Sequence, residues 1–294
     1  MARALTSVRP VRGENRRNFY WLPHFVLVIG VIIFAFPIYF ALIGSTHDAA
    51  TISRGQMPLV PGPNLVENYA QAWNLGTGNR VRGMPAQLMM FNSLVMAVII
   101  TVGKISISLL SAYAVVFFSF PGRMLFFWMI FITLMLPVEV RIIPTFKVVS
   151  DLGMIDTYWG LTIPLIASAT ATMLFRQFFL TIPDQLVEAA KIDGAGPMRF
   201  FKDTVLPLST TNIAALSVIL FIYGWNEYLW PLLITTSRRM DTIVIGIVKM
   251  IGVGDALTDW QIIMATTILA MLPPVLVVIF MQRWFVKGLV ETEK

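Results

Sequence analysis

Four side chains stand where an otherwise apolar sequence has least reason to place them. Lys104 lies in the middle of the run 88–118, Arg141 between Pro137 and Pro144, and Asn226 and Glu227 within Trp225-Asn226-Glu227-Tyr228. A lysine at a bilayer centre costs about 2.5–3.5 kcal/mol on insertion scales, so Lys104 must face protein or a watered cavity. It stands beside an anionic substrate, or it pairs with an acid or backbone carbonyls. Arg141 offers a planar fork that suits phosphate; the alternative is an interfacial salt bridge. Glu139, two residues earlier, would point about 200° away on a helix and cannot share its face. Trp225 and Tyr228 read as interface anchors. Asn226 and Glu227 fit that reading poorly, and line a substrate path or meet a docked partner. Asn92 and Ser93 are weaker candidates of the same kind.

Other chemistry is excluded by what the sequence lacks. There is no cysteine, which removes disulfides, thiolate catalysis and Cys-ligated metals. His24 and His47 form no metal-ligand set, and no His–carboxylate motif falls in an apolar run, so neither a metal site nor an embedded enzyme is expected. No phosphate-binding P-loop is present, so the chain itself should bind neither ATP nor any other cofactor.

The elements that position these residues are set by composition. The chain has 294 residues, 57% hydrophobic and 13% charged, where a soluble domain carries roughly 25% charged. Its mean hydropathy is +0.75. This predicts an all-α integral membrane protein rather than a soluble basic one, and its net charge of +6 reflects a membrane-flanking bias rather than nucleic-acid binding. Six transmembrane helices are expected, near 25–44, 88–118, 124–146, 158–179, 209–234 and 262–286. Residues 1–20 form an Arg-rich tail, and 21–294 one transmembrane domain. The run 25–44 is too long for a cleavable signal and reads as a retained span. Run 88–118 exceeds a bilayer's need and should tilt or project. Pro137 and Pro144 predict a broken third span, tolerated where it lines protein or water. Loop 45–86, rich in Pro, Gly and Asn, should lie outside with short surface helices, and 147–157 should form a short outer loop.

With six spans both termini lie on one face. That face carries thirteen Lys/Arg against seven on the other, counting Arg176 and Arg283 with the loops they border. The positive-inside rule makes it cytoplasmic and places loop 181–208 there.

That loop is the longest polar-rich stretch between two apolar runs in the second half. Thr181-Ile182-Pro183-Asp184 predicts a helix start with a hydroxyl cap and an acid in the first turn. Gly194 should end the helix at positive φ, and Pro197 should open a second short one. Leu186, Ala189, Ala190 and Asp193 share one face by their spacing. Read alone, this is either an amphipathic helix on the membrane surface or a face that a protein partner approaches closely.

Glu188-Ala189-Ala190, then Gly194-Ala195 and Leu206-Pro207, resemble the EAA loop of bacterial ABC importer permeases. The likeness extends from about residue 20 to the C-terminus, through LMLPVEVRIIPT (134–145), ASATATMLFRQFF (167–179) and FIYGWNEYLWPLLI (221–234). These are similar to the carbohydrate-type importer permeases related to the maltose system, and most of all to second permease subunits of sn-glycerol-3-phosphate importers. The resemblance implies a type I importer permease in the bacterial inner membrane. It would pair with a second permease, an ATPase dimer at the cytoplasmic face and a periplasmic binding protein. Glu188, Ala189, Ala190 and Gly194 would then couple to the ATPase, and Lys104, Arg141, Asn226 and Glu227 would be candidates for the substrate path. A sugar or glycerophosphodiester importer is the alternative within the family. An ATP-independent channel or secondary transporter is the alternative outside it.

Overall fold

The computed structural model describes residues 21–76, 84–135, 138–251 and 258–290. The Arg-rich tail, Pro137 and the side chain of Glu139 lie outside that description. Among the described residues the chain is all helix and turn, with no strand.

Helix α1, Trp21–Gly44, buries only 6% of its most apolar stretch. Phe25, Val31 and Phe34 point outward, as side chains bathed in lipid can without the penalty water would impose. Its C-terminal end is tied down. Asn68 donates to the carbonyls of Ser45 and His47, both at 2.8 Å, and Gly62 N–H donates to Thr46 Oγ1 at 2.7 Å. The segment after α1 holds two short helices, α2 (Ala49–Ser53) and α3 (Leu65–Asn74).

Helix α4, Ala86–Phe117, is the axis of the molecule. Its 32 residues span about 48 Å at 1.5 Å each, more than the ~30 Å apolar core of a bilayer. Met89, Met96, Ile100, Ile105 and Leu109 form a buried stripe along it. Three apolar clusters are built on that stripe: Met89 packs with Phe221 and Ile263, Met96 and Ile100 with Ile142 and Trp230, and Ile105 and Leu109 with Phe175 and Phe179.

Two of the expected spans, the fourth and the fifth, are broken. The third is described as α5 (Arg123–Met135) and α6 (Val138–Asp151), with residues 136–137 between them outside the description. Helix α6 runs on through Lys147, so the connection expected from 147 begins only after Asp151. The fourth is α7 (Tyr158–Thr162), a 3₁₀ turn Ile163–Leu165 and α8 (Ala169–Phe179), with a 47° bend between its halves. Next come α9 (Asp184–Ile192), α10 (Pro197–Phe200), a π-helical turn Phe201–Val205 and α11 (Leu206–Leu208). Helix α12 (Thr210–Trp225) then ends well short of 234, and α13 (Leu229–Ile234) completes that run. The connection 235–260 contains an apolar helix, α14 (Ile243–Ile251). The last helix, α15 (Trp260–Val290), stays continuous through Pro273 and Pro274. Pro274 has no N–H for the Ala270 carbonyl; the Trp225 indole donates to that carbonyl instead, at 3.1 Å.

By length and composition α1, α4 and α15 can each cross a membrane alone, and two bent pairs raise the number to five.

Candidate functional site

Helix α6 and the two breaks converge on Lys104. A cavity of about 110 Å³ is lined by Lys104 of α4, Arg141 and Thr145 of α6, the 164–167 bend ahead of α8, and Tyr223, Glu227 and Trp230 around the α12–α13 break. Gly103 makes that convergence possible. A Cβ there would sit 2.7 Å from Ile166 Cγ2, so only glycine lets the bend lie against α4.

Lys104 is 7% exposed. Its ammonium lies 4.2 Å from the centroid of the Tyr223 ring, an attraction of about 2 kcal/mol when desolvated. Among the described residues it makes no ion pair; Glu227 and Arg141 are its charged neighbours at longer range. The Glu227 carboxylate lies beside the Tyr223 hydroxyl and the Trp230 backbone N–H. Two cations and one acid thus share a cavity without neutralising each other in contact. The N-terminus of α8, with Ser168 Oγ accepting from Ala171 N–H at 3.2 Å, adds the positive end of a helix dipole at the rim.

Asn226 does not join this group. Its amide donates to the Ile222 carbonyl at 2.9 Å, and it borders a separate, apolar cavity of about 330 Å³ with Trp225, Ile247 and Pro274. Helix α12 ends at this point, so neighbours in sequence diverge. Asn92 and Ser93 are structural. The Asn92 amide donates to the carbonyls of Arg239 (2.8 Å) and Asp241 (3.0 Å) and accepts from the Tyr158 hydroxyl (2.7 Å). Ser93 Oγ accepts from Ile243 N–H at 2.8 Å and so caps α14 from a neighbouring helix. Tyr223 and Trp230 went unmarked in the sequence, where they read as ordinary interface aromatics. The four-residue spacing from Tyr223 to Glu227 is the signal that would have found the first.

The second functional region is the segment 181–208. Helix α9 begins at Asp184 with Pro183 at its cap position. Thr181 is not the cap; its hydroxyl donates backward to the Phe178 carbonyl at 2.7 Å. Gly194 has φ +68°, and Ala195 N–H returns to the Ala190 carbonyl at 2.8 Å, which closes the helix. Pro197 opens α10. Ala190 and Val187 pack inward, while Glu188 and Ala189 are exposed. Ile192 is 86% exposed and Met198 64%, an apolar surface on a polar segment.

The inner side of this segment is fastened to α4. The Tyr113 hydroxyl donates to the Pro197 carbonyl at 2.7 Å, and its ring lies 4.9 Å from Phe201 and 5.2 Å from Phe117. Phe117 meets Phe200 at 5.4 Å and Phe179 at 5.9 Å. Tyr113 is nine residues from Lys104 on one unbroken helix, about 13.5 Å. A single rod therefore joins the segment to the cavity.

A bundle of broken helices around a polar mid-depth cavity, with an exposed helical segment fastened to its central rod, defines a membrane permease of the ABC importer type. Residues 104–291 match the family model of the binding-protein-dependent transport system inner membrane component, and the chain belongs to that family. Relatives described as sn-glycerol-3-phosphate transport system permease protein UgpE are 64% identical in Rhizobium meliloti, 62% in Brucella melitensis and 58% in Yersinia enterocolitica; each match covers 96% of this chain and 99% of the relative. The fold is also that of a bacterial ABC transporter involved in import of the acidic polysaccharide alginate, at TM-score 0.78, 20% identity and coverage of 90% and 95% of the two chains. A bacterial alginate ABC transporter in complex with a pentasaccharide-bound periplasmic protein matches at TM-score 0.58, 17% identity and coverage of 89% and 92%.

Proposed function

We propose that this permease forms half of the translocation path of an ATP-driven importer for sn-glycerol-3-phosphate. The relatives' substrate supports this reading, and the observation that carries it is the buried, unneutralised Lys104 where α6 meets the two helix breaks. With Arg141 it supplies two cations for a phosphate. The other half of the path belongs to a second permease, and a periplasmic binding protein delivers the substrate.

The segment 181–208 faces the cytoplasm and docks on an ATPase dimer in this reading. Six spans place both termini on the same side of the inner membrane. Glu188, Ala189 and the exposed Ile192 and Met198 present the docking face. Gly194 fixes the turn, and Ala190 seats α9 on the bundle. Helix α9 has nine residues, about 13.5 Å. One side of so short a helix buries far less than the ~1,200 Å² of a stable interface. The segment therefore transmits motion, and the permease–permease contact holds the complex.

The test is the complete importer in proteoliposomes. Glu188→Lys and Gly194→Pro should leave assembly intact and uncouple ATP hydrolysis from uptake; normal uptake by both defeats the coupling role. Lys104→Gln and Arg141→Gln should slow uptake of the anion at least tenfold, the scale of about 1.4 kcal/mol per lost contact. Unchanged kinetics in both defeat the anion site.

A further inference from the structure

Resting on the anion-site reading above, we propose that the cavity is two-ended. Its cations take the phosphate, and Glu227 takes the hydroxyls of a phosphorylated polyol, so the permease itself discriminates among ligands after the binding protein releases them.

A carboxylate whose task was to neutralise Lys104 would draw that flexible side chain into contact. Instead the ammonium rests on the Tyr223 ring at 4.2 Å, with Arg141 as the other charge beside Lys104 and Tyr223. Glu227 stands with the Tyr223 hydroxyl and the Trp230 N–H. A carboxylate has about four acceptor directions, and those two neighbours face only part of them. The remainder opens into the cavity that Glu227 lines. Inorganic phosphate would satisfy only the cationic end. A ligand with a phosphate at one end and donors at the other satisfies both and leaves no buried charge facing an apolar group.

Steady-state transport by the complete importer in proteoliposomes tests this, with the binding protein saturated by each ligand in turn so that its own preference drops out. The probes are sn-glycerol-3-phosphate and the two propanediol phosphates that each lack one hydroxyl. The wild-type importer should move at least one propanediol phosphate about tenfold more slowly than the parent, as loss of a hydrogen bond to a charged acceptor requires. Glu227→Gln should shrink that ratio to about threefold or less, and Glu227→Asp, which keeps the charge, should retain most of it. Co-purification with the partner subunits checks assembly of both variants. An unchanged ratio in Glu227→Gln, alongside slowed uptake in Lys104→Gln, overturns the hydroxyl role and leaves the anion site standing. Normal uptake in both Lys104→Gln and Arg141→Gln removes the site and the two-ended proposal together.

Discussion

Helix α4 is held at its two ends by different chemistry. Near its N-terminus Asn92 and Ser93, both fully buried, satisfy backbone groups at 239–243. Those contacts are short, directional and polar, and each partner has no alternative once water is excluded. Near its C-terminus Tyr113 and Phe117 sit among Phe179, Phe200 and Phe201, with one hydrogen bond to Pro197. Aromatic surfaces can slide and tilt against one another at small cost, whereas a hydrogen-bonded hub opens all or none. The difference assigns anchoring to the first end and transmission to the second, with Lys104 between them.

The comparison can be broken most decisively at the aromatic end. Tyr113→Ala should cost about 3–5 kcal/mol as a large-to-small core change, read as a drop in the thermal midpoint of the purified complex. It should also lower substrate moved per ATP. At the polar end Asn92→Leu strands two carbonyls and a hydroxyl, at about 1–3 kcal/mol for each unsatisfied group. Its midpoint should fall by a comparable amount while transport per ATP in the surviving complex stays normal. Uncoupling by Asn92→Leu, or full coupling in Tyr113→Ala, would erase the distinction. Tyr113→Phe sharpens it: about 1 kcal/mol for one hydrogen bond, with coupling mildly reduced.

The smallest expected effect lies beyond the polar end. Asp156, at φ +57°, accepts from the N–H groups of Thr236 (2.7 Å) and Ser237 (2.8 Å) and from the Thr236 hydroxyl. Partial burial pushes its carboxyl up, but these donors and Lys249 outweigh that and hold it below its ordinary 3.8. A depressed folded-state value contributes stability above the unfolded value and loses it as pH falls through the folded one. Protection of the Thr236 and Ser237 amides, taken relative to their intrinsic exchange rate at each pH, should therefore hold steady through neutral and mildly acidic pH and fall only below about pH 4. Loss of protection near neutrality would mean that the clasp does not depend on the Asp156 charge.

Part of this was legible in the residues. Gly194 and Pro197 fix backbone dihedrals locally, so the end of α9 and the start of α10 fall where sequence places them. The cap is different: the Thr181 hydroxyl donates to the Phe178 carbonyl of the preceding helix end, and Pro183 takes the cap position of α9. Pro137 and Pro144 predicted a broken third span; Pro137 lies outside the described residues, and α6 stays helical through Pro144. The breaks at 166–168 and 226–228 carry no comparable signal in their own residues. They exist because Gly103 admits Ile166 and because Trp230 finds the Gly160 carbonyl at 3.0 Å, partners seventy or so positions away in the chain.

Composition and hydropathy alone determined that this chain lives in a membrane as helices, because runs of about twenty apolar residues without the alternation of barrel strands satisfy their backbone groups within each segment. Local dihedral preference determined the turn after α9. Only the tertiary structure decided that Lys104, Arg141 and Glu227 share one cavity while Asn226 faces another. Which way a side chain points at a helix break depends on how distant helices pack, and no short-range property of the sequence encodes that.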